Sequence, residues 1–328
     1  MANMLYPQTT SSPAGSTAVY VRMNFDGTVV LYTGATDVGQ GSDTYLAQIA
    51  GETLGVGIED IRVISSDTVY TPYDEGTAAS RLMYIVGRCV KDACEKARMM
   101  LLDAAAWQLR ITQPDKLYIE NGSVRLDTYP DICISVKEAA RIAQNILGTP
   151  VQGAATFTNI TTPINSTNGH GYIYEKFVYA THIAEVEVDT ETGIIDVLKY
   201  VAVTDCGRVV NPLLLESQIE GGISQGIGYA LMEELVEAQT DMKLLTDTFS
   251  DYHIPTFSDM PPVLITDYIQ FPDKDGAYGA KGASEPASVP VAPAITNAIK
   301  NTIGIRFDTL PVTPECVLLA ILEREGST

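Results

Sequence analysis

The sequence contains no run of about 18 apolar residues, so nothing in it reads as a membrane-spanning helix. Its opening stretch, MANMLYPQTTSSPAGS, lacks a basic segment followed by an apolar one and does not read as a secretion signal. Positive charge is scarce: 21 Lys and Arg stand against 41 Asp and Glu, a formal net charge of −20. A field of that sign repels phosphate backbones and excludes nucleic acid as an expected partner; otherwise it reads as a solvated surface. Cysteine is scarce too. Cys89, Cys94, Cys133, Cys206 and Cys316 form no C-x-x-C pair and no zinc or iron–sulfur spacing. The odd count in a long chain points to a reduced, cytoplasmic compartment, with most of these cysteines as small core residues. Cys206 differs in sitting in a turn close to other motifs.

What is present is a globular composition with Gly and Pro spread along the chain. Residues 1–15, rich in Pro, Ser and Thr, read as an N-terminal arm. Alternation on either side of Asp26-Gly27 predicts a hairpin over 17–34, and Asn121-Gly122 predicts another. Helical spacing predicts helices over 42–54 and 135–147 and a long one ending near Leu109, with Leu82, Ile85, Val86, Cys89, Ala93 and Ala97 on one face. The Thr-, Asn- and Gly-rich segment 151–169 reads as a link between a first lobe, about 16–150, and a second, about 170–328. In the second lobe, strands 182–188 and 194–203 flank a turn at 189–193. A helix starts at Asn211-Pro212 and runs through Leu235, and a last one covers 292–303 before Gly304. Hairpins and helices without a regular βαβ order make the class α+β with two lobes.

Four segments carry chemistry. Gly39-Gln40-Gly41 joins a strand to a helix start; it either admits a bulky ligand against its backbone or is an ordinary junction. Thr77-Ala78-Ala79-Ser80 precedes the long helix, where hydroxyls and backbone N–H groups bind a phosphate or Thr77 or Ser80 simply caps the helix. Glu220-Gly221-Gly222 and Gln225-Gly226 place glycines inside a helix, at about 0.5–1 kcal/mol each relative to Ala. Gln218, Gly222 and Gln225 share a face there, which suits either a groove with amide donors or close helix packing. Finally, Lys281-Gly282-Ala283-Ser284-Glu285-Pro286 holds a lone loop carboxylate. Pro286 biases Glu285 toward an extended backbone, projecting either into an apolar cavity or to the surface.

In this order and at these separations, the four segments resemble the xanthine dehydrogenase and aldehyde oxidase family of molybdenum hydroxylases, from about residue 16 to 316. The resemblance covers the second half of the family's molybdopterin-binding region and implies a two-lobed molybdopterin-binding domain of mixed hairpins and helices. It implies that Gly39, Gln40, Gly41, Thr77, Ala78, Ala79, Ser80, Gln218, Gly222 and Gln225 bind the cofactor. That cofactor would be a molybdopterin, in its cytosine dinucleotide form, whose dithiolene rather than any side chain holds the metal. Glu285 would be the base that deprotonates a molybdenum-bound hydroxide while hydride passes to a sulfido or selenido ligand. The family usually has Gly before this Glu, where this chain has Ser284, a change in loop flexibility that leaves the carboxylate and its Pro in place. With no cysteine set for two [2Fe–2S] clusters and no FAD segment, the resemblance implies partners: a larger molybdopterin subunit, an FAD subunit and an iron–sulfur subunit. A region split over two polypeptides resembles the nicotinate-hydroxylating members, which use NADP; a xanthine, purine or other N-heterocycle hydroxylase is the second reading, and a non-catalytic scaffold lobe the third.

Overall fold

The computed structural model describes residues 1–8, 16–158, 161–238 and 242–326. In chain order its elements are β1 (Ala2–Pro7), β2 (Ser16–Met23), β3 (Val29–Thr33), α1 (Ser42–Leu54), β4 (Ile61–Ser65), α2 (Gly87–Leu109), β5 (Leu117–Glu120), β6 (Ser123–Leu126), β7 (Cys133–Ser135), α3 (Val136–Asn145), β8 (Gln152–Thr158), β9 (Phe177–Val188), β10 (Ile195–Asp205), α4 (Pro212–Leu231), β11 (Val263–Ile269), α5 (Val291–Ile303) and α6 (Pro314–Gly326). The class is α+β, as the mixture of hairpins and helices implies.

The strands form sheets ordered β4-β3-β2-β8 and β1-β9-β10-β11, with a small third sheet β5-β6-β7. The hairpins at Asp26-Gly27 and Asn121-Gly122 link β2 to β3 and β5 to β6 in antiparallel register. At the second, Asn121 and Gly122 both take positive φ, 47° and 73°, the mirror-image turn that the twist of two strands favours. The buried apolar side chains fall into two clusters. The first surrounds α2, whose Cys89, Ala93, Cys94, Ala97 and Leu101 pack against α1, α3 and the first sheet. Burial there pushes the Cys89 thiol up to about 12 and the Cys94 thiol up as well, which makes both inert core residues. Cys133 is half-buried and Cys316 exposed, so the core reading does not extend to them. The second cluster gathers Ile219, Ile223 and Ile227 of α4, Ile295 and Ile299 of α5, and Val317 and Ile321 of α6 around Tyr200.

Several expectations are corrected. Ala2–Pro7 is not an arm but an edge strand, registered so that Leu5 faces Tyr179, with Met4 buried; an edge tolerates Pro7 because a missing donor there breaks no ladder. Residues 9–15 of the expected arm lie outside the described residues. The expected link at 151–169 begins as β8, paired with β2 through Val19 and Ala155. Helix α4 stops at Leu231, not Leu235, and neither β11 nor α6 was anticipated. Strand β11 runs parallel to β10, with its side chains alternating between half-buried and exposed, a weak signal for a sequence reading. Among the described residues no helix is long and apolar enough to cross a membrane.

Inside the second sheet, His182 and Tyr200 are fully buried, and His182 Nδ1 lies 3.0 Å from the Tyr200 hydroxyl. Among the described residues Nε2 has no partner. Burial lowers the imidazole to about 4 from an ordinary 6.5, so the folded protein holds it neutral. The unfolded chain binds that proton first. The resulting stability is fully present above about pH 6.5 and is lost as pH falls toward about 4. Urea unfolding across that window should therefore show stability falling with acidity, and His182→Asn should flatten the fall. An unchanged slope in that variant would contradict the assignment.

Candidate functional site

The predicted segments meet where the two clusters face each other. The strand-to-helix junction is built on Asp37, whose carboxylate accepts from the N–H groups of Gly39 (2.8 Å) and Asp43 (3.1 Å). Gly39 and Gly41 both take positive φ, 105° and 79°. Space is open beside Gly39, while Leu214 of α4 comes so near Gly41 that a Cβ there would lie 2.8 Å from its Cδ1. The Gln40 side chain turns back on its own loop. Its Oε1 accepts from Val38 N (2.6 Å), and its Nε2 donates to Thr36 O (3.0 Å) and Ser42 Oγ (3.1 Å).

The second segment is tied to the first. Thr36 N donates to Thr77 Oγ1 at 3.1 Å, and that hydroxyl donates to Thr36 O at 2.8 Å. Neither Thr77 nor Ser80 caps a helix: the helix begins with a π-helical turn, Leu82–Val86, without a side-chain cap. Ala79 and Ser80 instead both take a left-handed backbone, φ 51°, a conformation that costs non-glycine residues about 1–3 kcal/mol each when the surroundings impose it. Beside them stands Arg81, 1% exposed, whose Nη1 donates at 2.8 Å both to Asp74 and to the carbonyl of Gly76. Its Nε and Nη2 have no partner among the described residues.

The glycines of α4 have a packing reason. A Cβ on Gly222 would stand 2.7 Å from Ala287 Cβ and 3.1 Å from Ser288 N, so only glycine lets α4 carry the turn that follows Glu285. Asn211 starts this helix as expected, its side chain accepting from Leu214 N at 3.1 Å, and reaches across to Gln48 of α1 at 3.1 Å. Gln218 lines the cleft between the clusters, whereas Gln225 is exposed and donates to the Tyr229 hydroxyl at 3.0 Å, away from that lining.

Glu285 is not extended, contrary to the bias expected from Pro286. It opens a 3-10 turn, Glu285–Ala287, in which a proline at the second position is tolerated because a helix start needs no donor there. From this turn the carboxylate enters the cleft, where Ser80 Oγ donates to Oε2 and accepts from Glu285 N at 3.0 Å. The cleft has a volume of about 270 Å³ and is lined by Gln40, Thr77, Ala78, Ser80, Gln218 and Glu285 among others. Ala79, Gly39, Gly41 and Gly222 stand next to lining residues without lining it themselves, and Gln225 is not brought to it.

Residues 1–261 match the family described as the molybdopterin cofactor-binding domain. The chain belongs to that family. As a molybdopterin-binding domain it is 32% identical over 296 residues to the xanthine dehydrogenase molybdenum-binding subunit of Escherichia coli, covering 89% of this chain and 38% of that one. It is also 32% identical to the nicotine 6-hydroxylase large subunit of Paenarthrobacter nicotinovorans, covering 93% and 37%. Its fold superposes on quinoline 2-oxidoreductase from Pseudomonas putida with a TM-score of 0.85 and 26% identity, over 98% of this chain and 42% of that one. The chain thus spans about two-fifths of the length of each of these three proteins.

This molybdopterin-binding domain also lines its cleft with three cations: Lys281, which opens the fourth segment, and Arg81 and Arg208, which lie outside the four segments. Lys281 pairs with Asp205 at 2.7 Å. The turn at Cys206 and Gly207 is pinned beside it, with Lys281 N donating to Cys206 O and Arg208 N to Gly279 O, each at 2.9 Å. Cys206 lines the cleft, but burial and the charge of Asp205 push its thiol up to about 11, which leaves it a packed thiol rather than a nucleophile. Arg81 was legible as the residue after Ser80; Arg208 had no pattern to mark it.

Proposed function

We propose that this chain supplies one half of the active site of a molybdenum hydroxylase acting on an N-heterocycle, with nicotinate to 6-hydroxynicotinate as the reaction. The observation that carries this reading is the Glu285 carboxylate, held in one cleft with the Thr77–Ser80 segment and the Gln40 and Gln218 side chains. The residues fit a molybdopterin. An anionic phosphate needs local positive charge in a chain of net charge −20, and Arg81 offers two buried guanidinium nitrogens without a partner. Arg208 adds charge on the same lining.

Thr77, Ala78 and Ala79 would hold the phosphate side of the group, Gln40 and Gln218 its pterin, and the open space beside Gly39 would let the backbone approach it, while Gly41 and Gly222, packed against Leu214 and Ala287, would shape the site from behind. Gln225, by contrast, would reach it only by leaving Tyr229. When bound, the cofactor in its cytosine dinucleotide form supplies the two-electron redox chemistry of the hydroxylation. Glu285 acts beside it as the general base: one carboxylate oxygen stays with Ser80 while the other, which has no hydrogen-bond partner among the described residues, receives the proton. The pterin dithiolene carries the metal. A larger molybdopterin subunit, an FAD subunit and an iron–sulfur subunit with two [2Fe–2S] clusters complete a cytoplasmic complex that passes electrons to NADP.

The N-heterocycle reading is supported by the names of two similar proteins, a nicotine 6-hydroxylase and a quinoline 2-oxidoreductase. A xanthine or purine substrate is the second reading, favoured by the xanthine dehydrogenase relative. The test is to purify the native complex, measure molybdenum, and assay nicotinate, xanthine and quinoline with NADP. About one molybdenum per copy of this chain and nicotinate-dependent reduction are expected. A complex without molybdenum would sink the reading as a whole, and turnover of xanthine alone would sink its substrate.

A further inference from the structure

Ser80 and Glu285 stand 205 residues apart and exchange two hydrogen bonds through one hydroxyl. We infer that Ser80 is a positioning residue for Glu285: its hydroxyl clamps one carboxylate oxygen and the backbone N–H of the base, and so sets which oxygen faces the cleft. The inference rests on the proposed role of Glu285 as base, and it shifts Ser80 from cofactor anchor to partner of the base.

Three observations converge on it. The clamp is reciprocal, since Ser80 Oγ donates to Oε2 and accepts from Glu285 N, which leaves the hydroxyl no second proton to offer a phosphate. Next, the backbone is held in a costly shape to present it: Ala79 and Ser80 are both left-handed, between Gly76 and Arg81, and Arg81 pins Gly76 and Asp74 from within the core. Asp74 is itself fixed by the Thr17 hydroxyl of β2. Lastly, the Glu285 segment closes over the hydroxyl. A Cβ on Gly282 would lie 1.9 Å from Ser80 O, so the two loops touch backbone to backbone. From the far side, Gln8 Nε2 donates to Gly282 O at 3.1 Å. A surface hydroxyl meeting a loop carboxylate by chance needs none of this support.

The clamp has a chemical consequence. A carboxylate that is free to rotate offers either oxygen in many directions, whereas one oxygen tied to a fixed hydroxyl leaves the other aimed. Ser80 therefore acts on the rate of proton transfer rather than on binding of the cofactor or the substrate.

The test uses Ser80→Ala and Ser80→Gly in two settings. In the full chain without cofactor, exchange of the Glu285 amide is expected to be protected in the wild type and about tenfold or more faster in both variants. In the purified complex, both variants are expected to keep wild-type molybdenum content and KM while kcat per molybdenum falls about tenfold or more. Ser80→Gly relieves the left-handed backbone while removing the hydroxyl, so an equal defect in both variants assigns the effect to the hydroxyl, and the glycine variant serves if the alanine one is unstable. Molybdenum loss with kcat per molybdenum intact would make Ser80 a cofactor ligand and overturn the inference. So would wild-type exchange or wild-type kcat in either variant. The exchange measurement needs neither metal nor substrate, so a complex that proves inactive toward nicotinate would count against the proposed function and leave the clamp standing.

Discussion

Glu285→Gln is expected to abolish turnover while molybdenum content stays near the wild-type level. Glutamine keeps the length and planarity of the side chain, and its carbonyl oxygen can still accept from Ser80 Oγ as Oε2 does. The backbone N–H that Ser80 accepts from is untouched. What disappears is the ability to take up a proton, and general-base catalysis supplies about 10²–10⁴-fold in rate. A loss within or beyond that range, read as kcat per molybdenum, supports the assignment. If the variant retained more than about a tenth of the activity, a different group would have to be the base.

Gly222→Val should produce the second large effect, through geometry rather than chemistry. The valine Cβ would begin 2.7 Å from Ala287 Cβ and 3.0 Å from Ala287 C, inside contact distance before its methyl groups are added. Helix α4 cannot move away freely, because Ile219, Ile223 and Ile227 anchor it in the second core. The 3-10 turn of Glu285 is left to yield. Overpacking of this kind costs about 1–3 kcal/mol, and a shift of about 1 Å at a base costs on the order of 10²-fold in rate. Thermal unfolding should thus show a lowered midpoint, and the assembled enzyme should lose activity by more than its loss of folded protein explains. Gly222→Ala, with a single methyl against the same neighbours, should lie between. Full activity in the valine variant would mean that the turn does not rest on this helix.

Much of the fold was legible because local chemistry and tertiary packing agree. Asp26-Gly27 and Asn121-Gly122 specify hairpins by backbone conformation alone, Asn211-Pro212 starts a helix with its own cap, and Gly304 ends one in a left-handed conformation. The parts that were not legible depend on distant partners. Strand β1 is six residues beside a Ser/Thr-rich stretch, and only β9 makes it a strand. Strand β8 was hidden in a composition that reads as a loop, yet β2 pairs with it throughout its length. The site divides in the same way. The glycines of α4 announced a close approach, but not that the Glu285 turn is what approaches. Pro286 suggested an extended Glu285, and the turn it enters won instead. The Ser80–Glu285 pair had no sequence signal, because it forms from two backbones brought together at the cleft.

That separation along the chain has a consequence in time. Synthesis proceeds at about 5–20 residues per second and N-terminal parts fold first, so Ser80 leaves the ribosome roughly 10–40 s before the residue 205 positions later that it clamps. Strand β1, made well before its partner, must likewise wait for β9, which begins at Phe177. The first core can close around α2 during that interval, with its left-handed Ala79 and Ser80 in place and nothing yet opposite them. The cleft is therefore a late product of synthesis, because its lining is incomplete until residue 285 has emerged and met Ser80.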